Sequence, residues 1–335
     1  MKTDALLLDQ QLRMTLGTRE LPFPAPGEAL VRVAWAGVCG SDLHVLKTGA
    51  WVAYWPATLG HEVVGVVQDC PGGEMAPGTT VVLDSRLPCG ACPGCAVAPS
   101  LCHQMTWMGE ARPGGFARHL VVPVRSLVRC PPDLEPAIAV LAEPLAVAMH
   151  AVSRLAHRPH DALVLGYGPI GALVHLELVR RWPGLPVFVS EPAAERRRLG
   201  LALGASPAPG PSGPEGGGDG GARGFSLVVD AAGYPGSLTD ACAGTANGGT
   251  VLVVALSAEA VSLVPAQLAE RALTIVGSIG FDGELEEALV VLAADADRYR
   301  PLVSEAVLLE EAAERLAALG RSPSAGKVVV RPWQE

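Results

Sequence analysis

A glycine turn between two apolar runs constrains this chain more than any other feature. "DALVLGYGPIGALVHLELVRRW", residues 161 to 182, reads as a short strand, a G-x-G-x-x-G turn and a helix. In such a turn Gly166 makes the tight bend and Gly168 lets a pyrophosphate approach the backbone. Gly171 allows close helix–strand packing, and the helix opened by Pro169 and Ile170 points its N-terminus at the phosphates. The bare motif is common; its position straight after an apolar strand gives it weight. The next strand, "PVFVSE", ends on Glu191. A carboxylate there accepts hydrogen bonds from ribose hydroxyls and repels a 2′-phosphate, which favours NAD. The run Arg196-Arg197-Arg198 counts the other way, because Arg196 beside the turn tolerates that phosphate. NADP therefore stays open, although the run reads mainly as the solvated face of the helix "AAERRRLGLALGA".

The alternation extends beyond the turn. "FSLVVDAAG", "SLTDACAGTA", "GTVLVVAL" and "LTIVGSIG" continue a strand–helix rhythm, which predicts a parallel sheet covered by helices. "PAIAVLAEPLAVAMHAVSRLA" reads as one helical stretch leading into it. Residues 1 to 137 differ. "EALVRVAWAGV", "EVVGVVQDC", "TTVVLD" and "ARHLVVPV" are short β-branched runs between Gly and Pro turns. We therefore expect domains over 1–137 and 138–280, with 281–335 reading as two helices and a closing strand. The segment 206–224, "SPAPGPSGPEGGGDGGARG", cannot build a core and is read as a surface loop within the second domain.

With 335 residues, 49% hydrophobic and 18% charged, the chain has the balance of a soluble globular protein. The net charge of −9 and the lack of a long basic run disfavour nucleic acid and anionic membrane as partners. "AIAVLAEPLAVAMHAV" is the longest apolar candidate for a membrane span, and Glu143 and Pro144 break it. "MKTDALLLDQQ" is no signal peptide, so a cytoplasmic location with reduced thiols is expected.

That expectation frames "LPCGACPGCAVAPSLC". Cys89, Cys92, Cys95 and Cys102 are spaced C-x2-C-x2-C-x6-C. Four thiolates so arranged wrap a tetrahedral Zn²⁺ and leave no vacant position, which makes the site structural. Unrelated core thiols or a redox C-x-x-C are the competing readings; no thioredoxin-like context supports the latter. A second constellation has fewer soft ligands. Cys39 and the pair His61-Glu62 flank an aromatic loop, and Glu143 comes later in "LAEPLAVAMHA". A thiolate, an imidazole and carboxylates suit a catalytic zinc with room for an exchangeable ligand. Singly, each of these residues is more often structural or solvated.

In order along the chain, "GVCGSDLH", "LGHEVVG", "CGACPGC" with "LC", "GGFARHLVVP", "AEPLAVAMHA" and "GYGPIG" resemble the zinc-dependent medium-chain dehydrogenases, the alcohol, sorbitol, butanediol and threonine dehydrogenase group. The resemblance covers nearly the whole chain. It implies an α/β fold: a GroES-like β-barrel catalytic domain, to which the C-terminal segment returns, plus a Rossmann coenzyme domain with a doubly wound parallel sheet. It implies two zinc ions per chain. Cys39 and His61 match catalytic ligands, and Glu62 the adjacent ligand or exchange carboxylate. Glu143 matches the glutamate of the polyol-type branch, so which carboxylate holds the ion at rest stays open. Cys89, Cys92, Cys95 and Cys102 match the structural lobe. Ser41 and His44 match a proton relay, and Asp42 a partner fixing the His61 tautomer. Arg112 and Pro113 stand where an acidic residue is usual before "GGFA", and "GTANGG" replaces the commoner "RPGG" turn.

The implied reaction is hydride transfer between a secondary alcohol and NAD(P), giving the ketone, with the proton leaving through Ser41 and His44. Trp51, Tyr54, Trp55 and Trp107 read as packing residues or as the lining of a cleft for a sugar-like ring. The loop has some likeness to the aminocyclitol dehydrogenases of antibiotic biosynthesis. A polyol, cyclitol or aminocyclitol ranks first as substrate, and a butanediol- or threonine-type alcohol second. A non-catalytic homologue that keeps the fold is the reading of another class, disfavoured by the intact Cys39, Ser41, His44, His61 and Glu143. "LTIVGSIG" reads as a sheet edge pairing across a two-fold axis, giving a homodimer or a tetramer of such dimers.

Overall fold

The computed structural model describes residues 1–209, 224–257 and 259–334. The chain divides into a unit of Met1–Ala146 with Asp282–Glu335 and a unit of Val147–Phe281.

The first unit is built on a seven-stranded sheet. Strand Glu28–Gly37 is its centre, flanked by Glu62–Asp69, His119–Pro123 and the C-terminal Lys327–Arg331, all antiparallel to it. The β-branched runs named above form these strands, and their inward residues (Val31, Val33, Val63, Val81, Leu120, Val122) make one core with Phe116 and the N-terminal Leu6 and Leu8. An N-terminal hairpin, Lys2–Leu8 with Met14–Glu20, is stitched on by Leu6 and Leu8 N–H groups donating to the Phe116 and Ala57 carbonyls. Trp333 pins the chain end. Its Nε1 donates to the Val33 carbonyl at 2.9 Å, and the Arg32 and Arg118 guanidiniums lie 4.5 and 5.0 Å from its ring centre.

The second unit holds six parallel strands. Numbered one to six along the chain they are Ala162–Leu165, Val187–Ser190, Ser206–Pro207, Phe225–Asp230, Thr245–Val253 and Thr274–Gly277, and their spatial order is 3-2-1-4-5-6. That order reverses beside the first strand, where an open α/β sheet binds its ligand. Thr274–Gly277 is the outermost strand, as the edge reading of "LTIVGSIG" requires.

Three expectations need correction. The stretch read as one helix is two, Pro136–Ala139 and Ala142–Ser153. Proline is tolerated only in the first turn of a helix, so Pro144 forces a restart just before it. The C-terminal segment contains an extra strand, Val303–Leu308, paired in parallel with Lys327–Arg331. Its residues run without punctuation into the helix Leu309–Leu319, which hid the boundary. Of the Gly/Pro-rich segment, Ser206–Pro207 is a sheet strand rather than loop, and 210–223 lie outside the described residues.

Candidate active site

The Cys39–His61–Glu62 group assembles where two paired strands meet a helix start. Gly37, the last residue of its strand, lies opposite Glu62, the first of its own. Cys39 follows at once and caps the helix Gly40–Thr48. Asp42 then ties both segments together. Its Oδ2 accepts the Cys39 N–H at 2.8 Å and its Oδ1 the Gly60 N–H at 3.2 Å, and Oδ1 stands 3.7 Å from His61 Nδ1. The ligand atoms of Cys39, His61 and Glu62 consequently lie within 4.8 Å of one another.

Charge and burial make this cluster a candidate cation site. Glu62 is 0% exposed. Its Oε1 accepts from Lys327 Nζ at 2.6 Å, whereas Oε2 is buried with no hydrogen-bond partner among the described residues. An orphaned buried acceptor costs about 1–3 kcal/mol, so the fold keeps it for a reason. Burial pushes the His61 pKa down; Asp42 and Cys39 push it up more strongly, and the balance stands well above the ordinary imidazole value. A metal ion held here would supply that positive charge in place of the proton. Glu143 is buried beside the group, and burial pushes its carboxyl up to about 7, with Glu62 adding and His61 opposing. Thiolate, imidazole and carboxylate are a fitting donor set for zinc. The close three-residue group contains Glu62 and not Glu143.

Ser41 and His44 lie on the first turns of the same helix, both half-buried. Among the described residues no hydrogen bond joins their side chains; the His44 ring instead stacks on Trp51, 4.7 Å between centroids. Trp51 is 50% exposed and takes a left-handed φ of 67°. Of the other loop aromatics, Tyr54 and Trp55 pack on the core of the first unit.

The four-cysteine lobe has zinc geometry. Zn–S bonds of about 2.3 Å in a tetrahedron put sulfurs about 3.8 Å apart. Here Cys92–Cys95, Cys89–Cys95 and Cys92–Cys102 are 3.6, 3.9 and 4.0 Å apart. Backbone N–H groups of Cys95 and His103 donate to Cys92 Sγ, and those of Cys89 and Gln104 to Cys102 Sγ. The His103 and Cys95 N–H groups hold the Cys92 thiol down to about 6, whereas burial and the neighbouring sulfurs push Cys95 up to about 12. The Cys89 N–H, with that of Gln104, lowers the Cys102 thiol as well, so the backbone favours thiolates at Cys92 and Cys102. Asp282 clamps the lobe, accepting from Ser100 N at 2.8 Å and Oγ at 3.0 Å.

In the second unit the glycine turn is built as its spacing predicts. Gly166 has φ +82°. A Cβ on Gly171 would meet the Gly166 carbonyl at 2.1 Å, while at Gly168 it would meet nothing nearer than Arg196 at 3.7 Å. Gly168 therefore leaves a cradle open at the N-terminus of the helix Pro169–Arg181, where a pyrophosphate fits. Glu191 is buried and braces the turn, its oxygens accepting Tyr167 N–H and Ala193 N–H at 2.8 Å each. The arginine run is less solvated than expected. Only Arg198 is exposed; Arg197 donates to the Glu191 and Pro192 carbonyls, and Arg196 lies toward Gly168.

Residues 25–132 match the alcohol dehydrogenase GroES-like domain. L-threonine 3-dehydrogenase from Thermococcus kodakarensis is 33% identical over 192 residues, 56% of this chain and 55% of that protein, so the chain spans about half the length of that curated relative. L-idonate 5-dehydrogenase (NAD(P)(+)) from Escherichia coli is 27% identical over 310 residues, 89% of this chain and 90% of that protein. A structure from Sinorhizobium meliloti 1021, described as a candidate zinc-binding dehydrogenase bound to NADP, is 28% identical with a TM-score of 0.87, covering 99% of this chain and 100% of that one. Over its length the chain is thus similar to zinc-binding and polyol dehydrogenases, and residues 25–132 carry the alcohol dehydrogenase GroES-like domain.

Near the Cys39–His61–Glu62 group, sequence reasoning missed two charged residues. Lys327, 2% exposed, joins Glu62 to the Val38 carbonyl. Its only signal was a lysine opening the apolar strand "KVVVR". Glu110 is half-buried, and burial raises its carboxyl while His61 lowers it. It lies between Trp107 and Arg112, in a stretch whose sequence carried no motif.

Proposed function

We propose that this chain oxidises a secondary alcohol to the ketone with NAD⁺, releasing NADH and a proton, and runs the reverse reduction. The observation that carries the reading is the Cys39–His61–Glu62 group with its unpartnered buried Glu62 oxygen. Zinc at this group supplies Lewis-acid polarisation of the substrate hydroxyl, and the nicotinamide accepts the hydride. Cys39 and His61 hold the ion, with Glu62 as third ligand and Glu143 as a second carboxylate in reserve. Asp42 orients His61. Ser41 takes the hydroxyl proton and His44 passes it on, an imidazole suiting proton transfer near neutral pH. Cys89, Cys92, Cys95 and Cys102 hold a second, structural zinc.

Gly166, Gly168 and Gly171, with Pro169 and Ile170 at the helix start, receive the pyrophosphate. Glu191 receives the ribose hydroxyls; a carboxylate offers about four acceptor sites, of which two are in use. NAD is the preferred coenzyme on this ground, and Arg196 beside Gly168 is the residue through which NADP would be accepted.

A polyol, cyclitol or aminocyclitol is the proposed substrate class, supported by the idonate dehydrogenase relative and by exposed Trp51 beside His44. A threonine-type small alcohol is the second reading, supported by the threonine dehydrogenase match. Reduced free cysteines suit a cytoplasmic enzyme, possession of an outer strand suits a homodimer, and no described helix is long and apolar enough to cross a membrane. The test follows reduced-nicotinamide absorbance with NAD⁺ and NADP⁺ against polyols, inositols, aminocyclitols, butanediols and threonine. Chelator-sensitive turnover of a ring alcohol with NAD⁺ is expected. Absence of nicotinamide binding in zinc-loaded protein would instead place the chain among non-catalytic homologues.

A further inference from the structure

The buried pair Lys327–Glu62 has no part in the relay or the coenzyme site. Lys327 opens the strand Lys327–Arg331 and is 2% exposed, Glu62 0%. The ammonium donates at 2.6 Å to Glu62 Oε1 and at 3.1 Å to the Val38 carbonyl, one residue before Cys39. It therefore touches both segments that carry the candidate metal ligands. The neighbouring Val38 N–H donates to the Val328 carbonyl at 2.9 Å, which locks the register of the two segments.

Glu62 is divided by this contact. One oxygen belongs to the lysine; the other is buried and without a partner, within reach of the Cys39 and His61 ligand atoms. Gly37 leaves room for that second oxygen, since a Cβ there would stand 2.0 Å from Oε2. A buried ion pair is a weak source of stability, because desolvation offsets its attraction, and an apolar side chain of similar length would serve packing as well. The lysine's use must then lie in what it does to Glu62.

We propose that Lys327 is a positioning residue that competes with the metal for Glu62. By holding one oxygen it restricts Glu62 to single-oxygen contact with the ion, so that substrate can displace the carboxylate. This rests on the metal-site reading above. Without the ammonium, both oxygens turn to the metal and the ligand no longer leaves.

The test uses full-length protein loaded with Co²⁺ in place of zinc. Visible spectra are taken as differences from Cys39→Ser, so that cobalt in the four-cysteine lobe cancels. Lys327→Met is expected to weaken the visible bands, as a rise in coordination number does, and to slow cobalt loss to a chelator by about tenfold, equivalent to about 1.4 kcal/mol. With Glu62→Gln already present, Lys327→Met should change neither quantity further. Lys327→Gln keeps a donor for the Val38 carbonyl and replaces the methionine variant if that does not fold. An unchanged spectrum with unchanged or faster cobalt loss overturns the role of Lys327, as does an effect that persists in the Glu62→Gln background. No wild-type difference spectrum at all overturns the metal-site reading itself.

Discussion

Cys39, His61 and Glu62 are a candidate metal site because the fold gathers their ligand atoms within 4.8 Å of one another and beside other acidic groups. Burial lowers the His61 pKa but Asp42 and Cys39 outweigh it and lift it, whereas burial is what chiefly lifts that of Glu143, with Glu62 and Asp84 adding. Metal ligands must be deprotonated, so affinity should rise with pH as His61 loses its proton. Cys39→Ala and His61→Ala should each abolish turnover and lower metal content by elemental analysis; near-full activity with metal retained would refute the ligand assignment. Glu143 allows a sharper check in chelated protein. Its carboxyl titrates at about 7 in the fold against an ordinary 4.5. Below 4.5 both folded and unfolded chains hold the proton; between the two values only the fold does, so stability falls as pH rises toward 7. Glu143→Gln should flatten that part of the Tm-versus-pH curve, and an unchanged slope would show that Glu143 is not the group responsible.

Elements matter here through their ends. The helix Gly40–Thr48 starts on one ligand, Cys39, and its Asp42 reaches back to the loop carrying another, His61. The helix Pro169–Arg181 starts on the phosphate cradle. The cysteine lobe has only a five-residue helix, Pro93–Val97, and a short 3₁₀ turn, Pro99–Leu101. Elements that short do not hold themselves together, so Asp282 and a metal bound by the four cysteines are the expected clamps. Asp282→Ala removes two hydrogen bonds to Ser100 and should cost about 1–3 kcal/mol. Limited proteolysis should then cut first within 88–104. An unchanged cleavage pattern would show that the zinc cluster suffices. At the chain end, Trp333→Ala loses the bond to Val33 and two cation–π contacts, for an expected loss of about 2 kcal/mol in denaturant unfolding.

For the whole molecule, the outer strand Thr274–Gly277 leaves a row of backbone groups and Ile275 at 38% exposure at the sheet edge. Such an edge is a template for pairing with a second copy. Ile275→Lys should shift sedimentation from dimer toward monomer. A wild-type monomer, or a variant that sediments as the wild type does, would place the interface elsewhere or remove it.

The glycine turn, the cysteine spacing and the alternation of strand and helix were legible because each depends on short-range pattern, whereas the GroES-like architecture and the grouping of Cys39, His61 and Glu62 came from resemblance. Turn chemistry, ligand spacing and β-branched runs act over a few residues, and the chain carries them openly. The splitting of one helix at Pro144 was also local and should have been read from the proline. The strand Val303–Leu308 was different: its residues suit a helix equally well, and only pairing with Lys327–Arg331 decides for a strand. Lys327 was beyond reach for the same reason. It acts on Glu62, 265 positions away in the chain, by strand pairing that no local signal announces. Sequence alone determined the candidate ligand groups; tertiary structure alone decided which charges surround them, since electrostatics depends on distance in space and not along the chain.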